Sequence, residues 1–271
     1  TWRMVDATIR GIHRGTIYSD VNFHLEAERV ATVAEPDRAT ERIATPVYNL
    51  VIEHPEATIL WDTGSHPEAG EGHWPAETYA AFEHRDADEH DLADDLADAG
   101  YALADIDAVV CSHLHVDHAG GLHHFAGTDT PIYVHEEELQ FAYYSACTPG
   151  GDGGGYVRTD FDHDLDWRIL HRDRVEPFED LELYRLPGHS PGLLGMLVHL
   201  DDHGSVLFGS DVAELEANYR EERPLGAGLL RDRQAWAESI RLLQELERRH
   251  DAEVIYGHDP DQHERVLDGW D

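Results

Sequence analysis

Lysine is absent. All 20 basic residues other than histidine are arginine, set against 56 aspartates and glutamates, for a net charge of −36. Lysine is ordinarily among the commonest residues, so its loss marks a strong compositional bias. Acidic, lysine-free surfaces are those of proteins from salt-saturated cytoplasm. At molar salt the Debye length falls to about 3 Å, which screens a self-repulsion that dilute buffer leaves in force. The alternative is an acidic protein from a GC-rich genome in which arginine replaces lysine through codon bias. Either way nucleic acid is excluded as a partner, because no basic stripe is present to replace phosphate counterions. Cysteine is scarce as well: Cys111 and Cys147 make no disulfide framework, and Cys111 lies in an apolar run as a small core residue. No stretch approaches the roughly 20 apolar residues of a membrane span, so no membrane partner is expected. No charged-then-apolar leader opens the chain, and Thr1 in place of Met is expected of a chain missing or trimmed of a few residues. Cytoplasm is the expected location.

Histidine is plentiful, at 21 residues, and its placement is uneven. The run His113-Leu114-His115-Val116-Asp117-His118 packs four metal-capable side chains into one short segment. Three more candidates stand at wide spacing: His189 in Pro187-Gly188-His189-Ser190, Asp211 in Gly209-Ser210-Asp211, and His258 in Tyr256-Gly257-His258-Asp259. Imidazole and carboxylate together suit zinc and its borderline neighbours. Seven such ligands exceed one tetrahedral ion and suit two ions sharing a carboxylate. In so histidine-rich a chain the motif alone stays a hypothesis, exposed histidines being the alternative.

Position strengthens it. Each ligand group follows an apolar, strand-like run: Ile106–Ser112 before the cluster, Leu181–Leu186 before His189, Val206–Phe208 before Asp211, and Val254–Tyr256 before His258. Binding groups in layered α/β folds gather at such strand ends. Elsewhere, Val47–Glu53 and Thr58–Trp61 read as a hairpin around His54-Pro55-Glu56, closed by Asp62-Thr63-Gly64. Residues 65–90 read as polar loop with a helix near Ala76–Glu83. Helices are expected over Asp91–Ala99, Glu136–Ala146 and Asp232–Arg249, the last with Trp236, Ile240, Leu243 and Leu246 on one face. Pro131–Val134 reads as a short strand. Thr148–Gly155, with its five glycines, is a flap or a flexible linker. No repeat and no interdomain linker is apparent, so residues 1–271 are expected to form a single domain.

These segments resemble the metallo-β-lactamase superfamily, in order and in spacing: about seventy residues from His118 to His189, about twenty to Asp211, and about forty-seven to His258. Within it the chain is most similar to the N-acyl-homoserine lactone lactonases, supported by Ile59–Gly64, Ser112–Gly121, Leu186–Gly192 and Tyr256–Asp259 and covering about residues 45 to 262. The resemblance implies an α/β fold, a four-layer αβ/βα sandwich, and two Zn2+ ions, other divalent transition metals being alternatives. It implies that His113, His115 and His189 hold one ion, that Asp117, His118 and His258 hold the other, and that Asp211 bridges both. It further implies opening of a lactone ring by attack of a metal-bridging hydroxide, with Asp117 as the catalytic residue that passes a proton to the leaving alkoxide.

One position departs from the pattern. The lactonases carry a tyrosine three residues after the bridging aspartate, where it hydrogen-bonds the substrate carbonyl; here Glu214 stands there. A carboxylate cannot donate unless protonated, so Tyr219, Tyr143, Tyr144 and Tyr156 become candidate substitutes. The segment after His189 also differs, with Leu193 and Leu194 where many relatives are polar. The partner expected is a small-molecule lactone or ester; the oligomeric state stays open, a homodimer included. A glyoxalase II-like thioesterase or another ester hydrolase is the alternative function, and a non-enzymatic metal-binding protein a more distant one. Arg220, Arg223 and Arg231 are expected to pair with the acidic surface rather than steer substrate, and His123 and His124 to lie on the surface.

Overall fold

The computed structural model describes residues 4–148 and 155–270. Most of the Thr148–Gly155 segment, residues 149–154, lies outside the described residues.

Apolar residues at alternate positions divide the strands between two sheets and decide which face of each is inward. The first sheet is built from β1 (Thr8–Asp20), β2 (Arg42–His54), β3 (Ala57–Trp61), β4 (Phe82–His84), β5 (Ala108–Val110), β6 (Pro131–His135) and β7 (Asp166–Leu170), in the order β4-β1-β2-β3-β5-β6-β7. The second holds β8 (Arg174–Phe178), β9 (Leu181–Arg185), β10 (Leu194–Leu200), β11 (Gly204–Phe208) and β12 (Glu253–Ile255), in the order β12-β11-β10-β9-β8. Leu50, Ile52, Ile59 and Trp61 of the first sheet meet Leu183, Met196, Val198 and Phe208 of the second in one core. The intervening Val51 and Leu60 point the other way, into a core shared with Leu92, Leu96 and Ala142. Successive side chains of a strand face opposite ways, so both faces of these central strands are covered.

Helices close the outer faces. On the first sheet lie α3 (Leu92–Asp98) and α4 (Glu136–Cys147); on the second lies α7 (Arg233–His250). Asp232 caps the last of these by accepting from Ala235 N at 2.9 Å, and Trp236, Ile240, Leu243 and Leu246 form its buried stripe. Among the described residues there are five shorter α-helices: α1 (Val21–His24), α2 (Ala76–Ala81), α5 (Arg158–Phe161), α6 (Glu216–Arg220) and α8 (His263–Asp268). The layers therefore run helix, sheet, sheet, helix, as the αβ/βα sandwich requires. Cys111 is buried and Cys147 exposed, and neither is paired. No described helix is long and apolar enough to cross a membrane.

Three sequence readings change. The run Ile106–Ser112 shortens to β5, because the Ser112 backbone N–H leaves the sheet to bond Asp62 Oδ1 at 2.6 Å. Within residues 65–90 the helix stops at Ala81, and Phe82–His84 pairs with β1 as an edge strand. The strand β1, equalled in length only by β2 among the described strands, has no counterpart among the expected elements.

Candidate metal centre

The parallel pairing of β3 and β5 sets Trp61 beside Val110, which brings the two segments beyond these residues together. Asp62 follows at φ 58, in the left-handed region. Its carboxylate accepts from Ser112 N at 2.6 Å and from Ser112 Oγ at 2.7 Å, and Oδ2 lies 2.9 Å from His118 Nδ1. Thr63 Oγ1 donates to His118 O at 2.9 Å, and the backbone of Gly120 packs against residues 64–66 so closely that a Cβ there would lie 2.1 Å from His66 N. The turn after β5 is thus fixed to the turn after β3.

Glu138, fully buried on α4, fixes the other side. Its Oε1 accepts from Leu114 N and from Tyr156 Oη, each at 3.0 Å, and its Oε2 accepts from Ser190 Oγ at 2.6 Å and Gly192 N at 3.2 Å. One carboxylate thereby ties the His113–His118 segment to the His189 loop. Spacing singles out neither Asp62 nor Glu138: the first reads as turn chemistry, the second as one acid among three at a helix start.

The seven sequence candidates converge. His113 Nε2 and His189 Nε2 stand 3.0 and 2.8 Å from His115 Nδ1. Asp117 Oδ2 lies 3.6 Å from both His118 Nε2 and His258 Nε2. Between these trios is Asp211: Oδ1 is 3.4 Å from His118 Nε2 and 3.3 Å from His258 Nε2, while Oδ2 is 3.7 Å from His113 Nε2 and 3.6 Å from His189 Nε2. The outward nitrogens of three of these histidines are occupied. His113 Nδ1 meets Ser112 Oγ at 3.0 Å, His189 Nδ1 meets Leu229 O at 2.8 Å, and His258 Nδ1 meets Pro46 O at 2.9 Å. Engaging one ring nitrogen turns the other toward the centre, the usual arrangement around a metal. His118 Nε2 is buried with no hydrogen-bond partner. Two imidazole nitrogens crowd within 3.0 Å of His115 Nδ1, whose one lone pair or one proton cannot serve both, so the donor set fits cations.

The electrostatics divide the site. Burial, reinforced by neighbouring histidines, pushes His113 and His115 well below the ordinary imidazole value. Burial opposes protonation of His118 and His258 also, but Asp211 and Asp117 outweigh it, raising His118 well above its ordinary value and His258 to about 9. Asp211 is held well below the carboxylate range: burial opposes this, and His258, His118 and His113 prevail.

A cleft of about 270 Å³ opens on the cluster. Ile17, Trp74, Ala81, Phe82, Val116 and Leu229 supply apolar wall, His115, Asp117, His189, Asp211 and His258 the polar end. No arginine is among the described lining residues. Glu214 lines it too, its Oε2 lying 2.5 Å from His24 Nδ1, and His24 Nε2 lies 2.5 Å from Ser19 Oγ. None of the four candidate tyrosines reaches the cleft: Tyr219 donates to Glu247, Tyr143 to Asp162 and Tyr156 to Glu138, and Tyr144 is exposed. Arg220 and Arg223 pair with Glu247 and Glu28, and Arg231 lies over the Phe141 ring. His123 and His124 are half-buried rather than on the surface, the first with Nδ1 3.0 Å from Gly120 O, the second 3.3 Å from Asp91 Oδ2.

The sequence pattern that describes the metallo-beta-lactamase superfamily matches residues 42–258. The chain belongs to this superfamily and is a metal-dependent hydrolase. Its relatives include the N-acyl homoserine lactonase AiiB of Agrobacterium fabrum, 30% identical over 267 residues and covering 95% of each chain. An N-acyl homoserine lactonase of Bacillus thuringiensis is 30% identical over 222 residues, covering 80% of this chain and 82% of its own. Among solved structures, a B. thuringiensis AiiA mutant with N-decanoyl-L-homoserine at its active site superposes with a TM-score of 0.81 at 25% identity, covering 97% of both chains. The dizinc quorum-quenching lactonase AidC shares the fold at a TM-score of 0.66 and 17% identity, over 95% of this chain and 89% of its own.

Proposed function

We propose that residues 1–271 form one hydrolase domain that holds two zinc ions and opens the ring of N-acyl-homoserine lactones. The observation that carries this reading is the division of the Asp211 carboxylate, one oxygen toward His118 and His258 and the other toward His113 and His189. His113, His115 and His189 hold one ion; Asp117, His118 and His258 hold the second; Asp211 bridges. When bound, a metal pair supplies Lewis acidity to the lactone carbonyl, a water of lowered pKa and a counter-charge for the leaving oxygen.

The chain's own residues position and protect. Asp117 lines the cleft beside His258; as a carboxylate it would take the proton given up by the attacking water and return it to the alkoxide as the ring opens. The apolar wall from Trp74 to Leu229 receives an acyl chain and excludes water from the polar end. With no arginine in the described lining, the cleft suits an uncharged substrate better than the anionic thioester of a glyoxalase II-like reaction. The deciding experiment is hydrolysis of a long-chain N-acyl-homoserine lactone in molar salt, followed by proton release, with added zinc and with chelator. Chelator-sensitive turnover is the expected result. Metal-loaded protein that leaves the lactone intact would overturn the lactonase reading and turn attention to thioesters.

A further inference from the structure

The pairing of β1 with β2 shifts register between His13 and Thr16, and Gly15 occupies that irregularity at φ +93. The left-handed backbone favours glycine, and so does the space above it. A Cβ on Gly15 would stand 2.3 Å from His84 Nε2, 2.8 Å from Asp86 Oδ1 and 3.0 Å from His90 Cδ2. Side chains from the end of β4 and the turn beyond it therefore converge over a strand that itself contributes His13.

The donor atoms of His13, Asp86 and His90 all lie within 4.8 Å of one another, and His84 Nε2 is 3.4 Å from Asp86 Oδ1. That last separation matches the edge of a tetrahedron of zinc ligands, about 3.3–3.4 Å for bonds of about 2.0–2.1 Å. The His84 side chain is fully buried, yet its Nε2 has no hydrogen-bond partner, and neither has His13 Nδ1. Buried polar atoms are nearly always satisfied, so the orphaned nitrogen of the fully buried His84 ring, 3.4 Å from Asp86, calls for a ligand. The surrounding bonds are those that orient metal ligands: His84 Nδ1 lies 2.8 Å from Ser65 Oγ, His90 Nδ1 3.1 Å from Asp95 Oδ2, and Asp86 Oδ1 accepts from Thr16 N at 2.9 Å. Burial, the leading cause for both, lowers His13 below its ordinary value and His84 to about 4, which keeps both rings neutral and their lone pairs free.

We infer that His13, His84, Asp86 and His90 form a separate structural site for a zinc-type divalent ion. None of the four lines the cleft over Asp211, so this ion meets no substrate. It would pin the β1 irregularity to the edge strand β4 and to the approach to α3. The inference stands whether or not the lactonase reading holds.

Zinc content decides it. Wild-type protein and a His13→Gln/His90→Gln variant are equilibrated with excess zinc in molar salt, desalted and assayed for metal per chain. The wild type is expected to retain one zinc more than the variant, with hydrolytic activity the same in both. Equal contents would overturn the site. Should the variant fail to fold, zinc-edge anomalous diffraction from wild-type crystals grown with zinc replaces it. A peak among the four side chains supports the site, and no peak there overturns it.

Discussion

His24 and Glu214 form a buried pair in the wall of the cleft, Nδ1 to Oε2 at 2.5 Å, although 190 residues separate them in the chain. Glu214 holds the position at which the resemblance expects a tyrosine, and its carboxylate is already engaged by an imidazole that Ser19 holds from behind. The substituted residue is part of a network joining α1 to the turn after Asp211. Removing one partner strands the other in a buried site, at a cost of about 1–3 kcal/mol. His24→Leu and Glu214→Leu should each lower the denaturation midpoint, and the double variant should lose less than the two singles together. Strict additivity would deny the coupling.

The same pair bears on turnover. A preorganised donor to a developing oxyanion is worth about 10²–10³ in kcat. Glu214→Tyr alone leaves His24 without its acceptor, so the fair comparison is His24→Phe/Glu214→Tyr. That variant is expected to raise lactone kcat by at least about tenfold. A neutral or harmful effect in a folded protein would mean that another group already supplies the donor.

Asp62 contacts no other candidate ligand than His118, and acts through it and Ser112. Partners of this kind contribute about 10–100-fold in metal affinity. Asp62→Asn should therefore weaken zinc binding by about that factor, as read by competition with a chromophoric chelator, and lower the melting temperature of the loaded protein accordingly. An unchanged affinity would reduce Asp62 to a turn residue.

That role was hidden in the sequence for a physical reason. Asp-Thr-Gly after a strand has the chemistry of a turn, and it becomes a bridge to His118 only because β3 and β5 lie side by side in parallel. The seven candidate ligands were legible because strand ends announce themselves locally: an apolar run stops and a His or Asp follows. Glu138 was not, since its function is to join two loops distant in sequence. The strand β1 is not legible because Gly11, Gly15 and its arginines interrupt the apolar alternation, and its pairing partners lie far along the chain. The helix α7 was readable almost to the residue, since its stripe and its Asp232 cap are both local.

Acid sensitivity follows from two histidines outside the ligand set. Burial, with neighbouring histidines adding to it, lowers His66 and His263 to about 4 from an unfolded value near 6.5. As pH falls through this window the unfolded chain takes up protons before the folded one, which favours unfolding. The stability these groups contribute is complete above about pH 6.5 and lost as pH falls toward 4. Denaturation midpoints measured across that range at constant high salt should decline. Replacing both residues by Gln should flatten the decline; an identical slope in the variant would place its origin elsewhere.

Salt dependence tests the composition itself. A charge of −36 on 271 residues repels itself strongly in dilute buffer, where the Debye length is about 30 Å at 10 mM ionic strength and the repulsion spans the molecule. At molar salt that length is about 3 Å, and only ion pairs in contact still matter. Contacts such as Arg42 with Glu83 and Arg265 with Glu253 are then retained while the remainder of the acidic surface falls silent. The melting temperature should rise steeply from dilute buffer to molar potassium chloride. Equimolar tetramethylammonium chloride should reproduce most of that rise if screening is the cause. Stability that is unchanged between dilute and molar salt would remove the halophilic reading and leave the absent lysine as a matter of codon usage.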